Sequence, residues 1–220
     1  MNVARRSLLV LIITTVLISE LVAASVVVAN TPSAEPRLSD SAIIAVIGDS
    51  YSAGRNNVSV WPTLLAQRTG HSVANFALPG GGFEADGPGG YSFTYQVDRA
   101  QAVHPDTILV MGGLADEPYA WSGKISQDAV ETINKIKLGG QQVLVIGPTW
   151  YETPVPSSVG AVSDEIRKVA DTTGVPFLDA LDPPWLTRDL MQPDLSAPTD
   201  EGQSVIADKV AAWLRTEVAR

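Results

Sequence analysis

Ser50 is the residue of this chain best suited to act as a nucleophile. It follows Gly48 and Asp49 at the end of an apolar run, residues 42–47, that is typical of a strand buried on both faces. If a helix begins here, its unpaired backbone N–H groups favour negative charge beside the hydroxyl. A serine hydroxyl nevertheless reacts poorly without an adjacent base. Acyl transfer at Ser50 therefore requires a general base from elsewhere in the chain.

The chain has two histidines, and neither is well placed to be that base. His71 lies in the turn before the second predicted strand, and His104 lies just before the third. Both precede strands, whereas Ser50 follows one. Because the two ends of parallel strands lie at opposite edges of a sheet, we expect both imidazoles to be far from Ser50. The sequence thus predicts a nucleophile without a histidine.

The elements that must position Ser50 form a regular alternation. Five apolar segments are predicted strands, and five segments with helical periodicity lie between or after them. The predicted strands are residues 42–47, 73–76, 107–111, 142–146 and 175–178, and the predicted helices are residues 61–69, 92–102, 126–138, 158–173 and 200–218. This alternation predicts an α/β domain, a five-stranded parallel sheet with helices on both faces. Ligands of such sheets bind beyond the carboxyl ends of the strands, which draws attention to the residues that follow each strand.

Those residues resemble the sequence blocks of the SGNH (GDSL-type) esterase and lipase family. Gly48-Asp49-Ser50 is similar to the nucleophile block, and the segment from Asn75 to Gly80 is similar to the second block. The third and fourth blocks correspond to residues 113–116 and 194–202, in the family's order. The resemblance covers a domain of residues 41–220. It implies a flavodoxin-like three-layer sandwich of the SGNH hydrolase type and an ester hydrolase that needs no cofactor and no metal.

The resemblance also implies a role for each matched position. Ser50 matches the nucleophile, the N–H groups of Ser50 and Gly80 match oxyanion donors, and Asp194 matches the residue that orients the histidine. Two positions depart from the family: Ala115 replaces the oxyanion asparagine, and Ala197 replaces the general-base histidine. In a serine protease, loss of Ser or His costs on the order of 10⁶ in turnover, and loss of one oxyanion donor costs about 10²–10³. Ordinary triad catalysis is therefore expected to be weak or absent.

Aromatic and acidic residues near the blocks are further candidates. Tyr51, Trp150 and Tyr151 follow two strands, and they could stack on a sugar, grip an acyl chain or simply pack. Asp116 and Glu117 are interpreted as a solvated loop pair. The glycine-rich segments 79–82 and 87–90 are interpreted as a flexible loop near the mouth of a pocket.

The N-terminal residues predict an extracytoplasmic protein. Residues 1–29 combine a basic start with an apolar run, residues 8–28, and read as an export signal or a membrane anchor. The polar residues 30–40 are a predicted linker. A net charge of −9 and the lack of a basic cluster argue against a nucleic-acid partner. The expected partners are an acyl-ester, glycan or lipid ligand and, through residues 8–28, a membrane.

Three interpretations of the alanine positions remain open. The chain could be an esterase of cell-envelope glycans or lipids that uses another base through water, such as Asp194, Asp200 or Glu201. It could instead be a degenerate relative that binds acylated glycan or a partner protein without turnover. Finally, Ala197 could be an engineered change that traps a complex. The residues at these positions favour the second interpretation, binding without turnover. The family resemblance favours classification of the chain as an esterase, the first interpretation.

Overall fold

The computed structural model of the protein describes residues 42–218. Its centre is one parallel sheet of five strands in the order β2-β1-β3-β4-β5. The strands are β1 (Ile43–Gly48), β2 (Ser72–Asn75), β3 (Thr107–Met111), β4 (Gln142–Ile146) and β5 (Phe177–Leu178). Val46 of β1 pairs with Asn75 on one side and with Leu109 on the other. This order is that of the flavodoxin-like doubly wound sheet, as predicted.

Between residues 42 and 218, six α-helices connect or follow the strands. They are α1 (Ser50–Ala53), α2 (Trp61–Thr69), α3 (Phe93–Gln101), α4 (Ile125–Leu138), α5 (Ser157–Thr173) and α6 (Asp200–Val218). Three 3₁₀ turns lie at Gly87–Gly89, Leu114–Tyr119 and Arg188–Leu190. Left-handed glycines end two of the helices: Gly70 ends α2 with φ 76°, and Gly174 ends α5 with φ 65°.

The helices cover both faces of the sheet, which completes three layers. Strand side chains alternate between the faces, so Ala45 and Ile47 lie in one apolar core and Ile44 and Val46 in the other. The first core is completed by α3, α4 and α5, and the second by α2 and α6. The predicted layer architecture is therefore confirmed.

Most predicted elements agree with the structure to within one or two residues. The main difference is β5, which has two residues where the sequence predicts four. Pro176 explains part of this shortening, because it has no N–H to donate to the neighbouring strand. The predicted export segment and linker, residues 1–40, lie outside the residues that the structure describes. Within residues 42–218, no helix is both long enough and apolar enough to cross a bilayer.

Candidate active site

Ser50 lies where the direction of the chain connections reverses. β1 sits between β2 and β3, and the resulting crevice at the carboxyl ends of these strands is the usual ligand site of such sheets. Ser50 is the first residue of α1 and is partly exposed. Asp49 caps this short helix, since its Oδ1 accepts a hydrogen bond from the Tyr51 N–H at 3.0 Å. The fold thus presents the Ser50 hydroxyl at a helix start.

Gly80 supplies a backbone donor directly to the candidate nucleophile. The Gly80 N–H donates to Ser50 Oγ at 3.2 Å. The loop that carries it is held near β1, because the Leu78 N–H donates to the Gly48 carbonyl at 3.1 Å. Gly80 has a φ of 76°, a conformation that glycine adopts without strain. The structure therefore brings the first two sequence blocks together.

Asp116 holds residues 83–85, which continue the loop that carries Gly80, by accepting their backbone hydrogen bonds. Its side chain is fully buried and accepts three backbone N–H groups, from Phe83 at 2.8 Å, Glu84 at 2.9 Å and Ala85 at 2.8 Å. The prediction that Asp116 belongs to a solvated pair is therefore wrong. Its neighbour Ala115, the expected asparagine position, is partly exposed in the 3₁₀ turn after β3.

A second buried carboxylate, Asp49, lies below the nucleophile. Burial raises the pKa of Asp49 to about 7, the hydrogen bond from the Tyr51 N–H opposes this shift, and the charge of Asp116 adds to it. Burial likewise raises the pKa of Asp116. A Cβ at Gly112 would lie 2.8 Å from Asp49 Oδ2, and the φ of Gly112 is 145°. The backbone directly after β3 therefore packs against Asp49 with no room for a side chain at position 112.

The carboxylate of Asp194 contacts Ser196 and Arg55 rather than a catalytic base. Its Oδ1 accepts hydrogen bonds from the Ser196 N–H at 3.1 Å and from Ser196 Oγ at 2.6 Å, and its Oδ2 lies 3.4 Å from Arg55 Nη1. The hydrogen bond from the Ser196 hydroxyl lowers the pKa of Asp194. Ala197 is fully buried, and its carbonyl accepts from the Gln192 N–H at 2.8 Å. The methyl group at position 197 therefore has no contact with solvent.

The segment with Asp194 and Ala197 nevertheless packs beside the nucleophile's helix. Asn57, in the loop after α1, donates through Nδ2 to the Pro198 carbonyl and to Asp200 Oδ1, both at 3.1 Å. Gln203, in the first turns of α6, donates to the Tyr51 carbonyl at 3.0 Å. The first and last sequence blocks are thus joined by hydrogen bonds.

Gln203 also positions the site, although it was not among the candidates from the sequence. It is fully buried, and its Oε1 accepts the Trp61 N–H at 2.8 Å while its Nε2 binds α1. A signal was present, because this amide lies on the apolar face of α6, three residues before the buried Ile206. A polar residue on such a face is informative, since buried polar groups are generally hydrogen-bonded.

The three aromatic candidates differ in burial, since Tyr51 is buried whereas Trp150 and Tyr151 are partly exposed. Tyr51 is only 5% exposed and belongs to the core under α6. Its pKa is raised by burial and by the neighbouring Asp49 and Tyr151. Trp150 stacks on Tyr151 with ring centroids 4.6 Å apart, and its buried indole N–H has no hydrogen-bond partner within the described residues. Trp150 and Tyr151 thus form an aromatic pair directly after β4.

The histidines lie as the sequence predicts, before strands rather than after them. His71 immediately precedes β2, and the exposed His104 lies three residues before β3. They are therefore at the amino edge of the sheet, opposite Ser50. Among residues 42–218, no group of three or more His, Cys, Asp and Glu side chains is arranged to hold a metal ion.

The family comparison and the solved structures relate this chain to GDSL-type esterases. Residues 46–205 match the model of the GDSL-like Lipase/Acylhydrolase family. The structure is similar to the esterase EstA of Pseudoalteromonas sp., with 17% identity, a TM-score of 0.63, and coverage of 81% of this chain and 99% of EstA. It is also similar to TesA, with 22% identity, a TM-score of 0.65, and coverage of 79% of this chain and 98% of TesA.

A third similar structure is the acetyl xylan esterase AlAXEase, with 17% identity and a TM-score of 0.62. The alignment covers 78% of this chain and 98% of that esterase. The comparison with curated proteins gives no match. At these identities the solved structures establish the fold, whereas the family match extends over most of the chain. The chain therefore belongs to the GDSL-like lipase/acylhydrolase family.

Proposed function

We propose that this protein is an extracytoplasmic member of the family that binds acyl esters of cell-envelope glycans or lipids, with triad hydrolysis weak or absent. One contrast carries the proposal. Ser50 Oγ accepts the Gly80 N–H at 3.2 Å, whereas the position expected for the base is the buried methyl group of Ala197. The backbone donors expected to bind an oxyanion, at Ser50 and Gly80, are present, whereas Ala115 stands at the asparagine donor position and Ala197 at the position of the base.

The carboxylates near the last block are poor substitutes for the base. Asp194 has both oxygens engaged, and its lowered pKa makes it a weaker proton acceptor. Asp200 Oδ1 accepts from Asn57 Nδ2 and from the Val58 N–H, at 3.1 and 3.0 Å. Glu201 is exposed in the first turn of α6. These contacts support ligand binding over turnover.

The aromatic pair after β4 supports an ester ligand. Trp150 and Tyr151 are partly exposed, and their stacked rings offer an apolar surface to a ligand. The similar structure AlAXEase is an acetyl xylan esterase, which agrees with an acylated glycan as the ligand class.

Hydrolysis of p-nitrophenyl acetate by the purified chain tests the catalytic part of the proposal. We expect turnover no more than about 10³–10⁴ above the uncatalysed reaction, since that is what remains in a serine protease without its base. The double variant Ala197→His, Ala115→Asn should be faster by at least about 10²-fold. In this variant the imidazole would accept the Ser50 proton while Oγ attacks the carbonyl carbon, and the oxyanion would bind the N–H groups of Ser50 and Gly80.

Ser50→Ala, made in both backgrounds, is the matched control. It should abolish the gain of the double variant and change the low rate of the original chain little. Turnover of several per second by the original chain, lost in Ser50→Ala, would contradict the proposal and require an unrecognised base. An unchanged unfolding midpoint in urea would show that His fits at the buried position 197.

The proposed location has its own test. The full chain and a chain that begins at residue 30 are expressed in a bacterial host, and cells are separated into cytosol, membrane and medium. The full chain should appear in the membrane or the medium, and the shortened chain should remain in the cytosol. A full chain found only in the cytosol would contradict the export proposal.

A further inference from the structure

A polar pocket opens beside the helix that begins at Ser50. It has a volume of about 220 Å³ and is lined by two segments, which are Arg55 and Asn56 after α1 and residues 192–194 with Ser196 before α6. This volume lies below the roughly 300–1,000 Å³ usual for sites that hold drug-sized molecules. The pocket therefore suits a ligand group of about one ring.

We propose that this pocket is a subsite for one neutral sugar ring of the acylated glycan. The inference rests on the proposed function and deepens it by choosing glycan over lipid. Asp194, which has no histidine to orient, serves instead as a hydrogen-bond acceptor for a sugar hydroxyl through Oδ2, whose ion-pair contact with Arg55 is long, at 3.4 Å, and exposed. The ring is held beside the nucleophile's helix while the acyl group extends toward Ser50.

The chemistry of the lining matches a sugar. The pocket presents a guanidinium, two amides, a carboxylate and a hydroxyl around the ring of Pro193. Amides and carboxylates can each bond more than one hydroxyl, and a proline ring offers an apolar surface to the C–H face of a pyranose. An acyl chain, by contrast, would leave these polar groups desolvated and unpaired.

Several of these polar groups are available to a ligand. The Asn56 side chain makes no hydrogen bond among residues 42–218. Gln192 Nε2 has only two long contacts, at 3.5 Å to the Arg55 carbonyl and 3.4 Å to the Pro198 carbonyl. Both amides can turn toward a bound ring without breaking a short hydrogen bond.

The charge of the pocket argues for a neutral ligand. Arg55 and Asp194 lie 3.4 Å apart with side chains 58% and 55% exposed, so the pair contributes no net charge and is weakly held. A phosphate group would meet the carboxylate, and an ammonium group would meet the guanidinium. Sugar hydroxyls can donate to Asp194 and accept from Arg55 at the same time.

The backbone around the pocket is held in an uncommon conformation. Asn56 and Leu195, one in each lining segment, have left-handed φ values of 56° and 58°. This conformation is unfavourable for leucine, and it persists because Leu195 packs on the core under α6. As a result Asp194 and Ser196, on either side of Leu195, both line the pocket.

Titration calorimetry with neutral disaccharides tests the subsite. The probes are xylobiose, maltose and N,N′-diacetylchitobiose, each with and without one O-acetyl group. At least one deacylated probe should bind saturably, with a Kd between about 1 mM and 1 µM. Asp194→Asn and Arg55→Ala should each weaken binding at least tenfold. The matched control, Asp189→Asn, changes an exposed aspartate in the preceding 3₁₀ turn, outside the pocket, and should leave Kd unchanged.

The outcomes separate the subsite from the proposed function. Saturable binding of a deacylated sugar that is lost in Asp194→Asn but kept in Asp189→Asn supports the subsite. Binding of O-acetylated probes alone, blocked by Ser50→Trp but untouched by the pocket variants, would overturn the subsite and leave the proposed function standing. Binding of no probe up to about 10 mM would overturn the subsite and the glycan part of the proposed function, but not its lipid part.

Discussion

The buried carboxylate of Asp116 organises the loop that carries the oxyanion donor. It receives three N–H groups from consecutive residues, and its oxygens fill the space beside Gly82, where a Cβ would come within 2.4 Å. The N–H of Gly80, at the start of the same loop, points at Ser50 Oγ. Asp116 thus acts on Ser50 indirectly, by holding the loop after β2 in place.

Replacement of Asp116 should therefore cost stability. Asp116→Ala leaves three N–H groups without an acceptor, two of them buried, at about 1–3 kcal/mol for each buried group, so we expect the free energy of unfolding to fall by at least about 2 kcal/mol. Asp116→Asn keeps one oxygen and should cost less. Urea unfolding measures both. Glu117→Ala, at the adjacent and less buried acid, is the control and should change stability by under about 0.5 kcal/mol. Equal effects at 116 and 117 would contradict this role.

Gln203 joins three helices at the candidate site. From the start of α6 it accepts the Trp61 N–H at the start of α2 and donates to the Tyr51 carbonyl in α1. The position of α1, and hence of Ser50, therefore depends on a helix that is more than a hundred residues away in sequence.

Gln203→Met tests this connection at nearly constant volume. It removes both hydrogen bonds and leaves a buried donor and a buried acceptor unpaired, so we expect a loss of about 2–4 kcal/mol in the free energy of unfolding by urea. Gln127→Met makes the same change at an exposed position in α4 and should be nearly neutral. A Gln203→Met protein as stable as the original would show that the amide does not hold α1.

Acidic groups make the stability of the entire domain depend on pH, and acids with raised and with lowered pKa values act in opposite directions. Burial raises the pKa of Asp49, Asp116 and Asp128, whereas hydrogen bonds lower the pKa of the exposed Asp189 and Asp194. A group whose pKa is raised on folding contributes stability at low pH that is lost as the pH rises through the folded pKa. The buried groups should dominate, and the net charge of −9 adds repulsion in the same direction as the acids ionise.

The protein should accordingly be less stable at pH 8 than at pH 5. The contribution of Asp49 is complete below its ordinary pKa of 3.8 and is lost by the time the pH has passed about 7. A shift of this size corresponds to up to about 4 kcal/mol. Asp49→Asn should flatten the fall in the urea midpoint between pH 5 and pH 8, and Asp164→Asn, at an exposed acid, should not. A midpoint that rises over this range would contradict the assignment.

Local patterns predicted most of the secondary structure. The bounds of α2 and α6 and of β3 and β4 follow from apolar periodicity, proline and glycine positions, all of which act over a few residues. The crevice at Ser50 and Gly80 was predictable too, because residues after parallel strands must meet at one edge of the sheet. Ala115 and Ala197 could also be recognised from the sequence, because each lies within one short block.

Contacts between distant segments decided the rest. Asp116 looks like a loop acid in sequence, and only the return of residues 83–85 over it shows that it is buried. Asp194 looks like half of a catalytic pair, and only the approach of Arg55, together with the turn through Leu195, shows where its carboxylate is engaged. The pocket between these segments exists only where two loops far apart in sequence close on each other. Composition and periodicity describe neighbours along the chain, whereas burial, hydrogen-bond partners and cavities depend on neighbours in space.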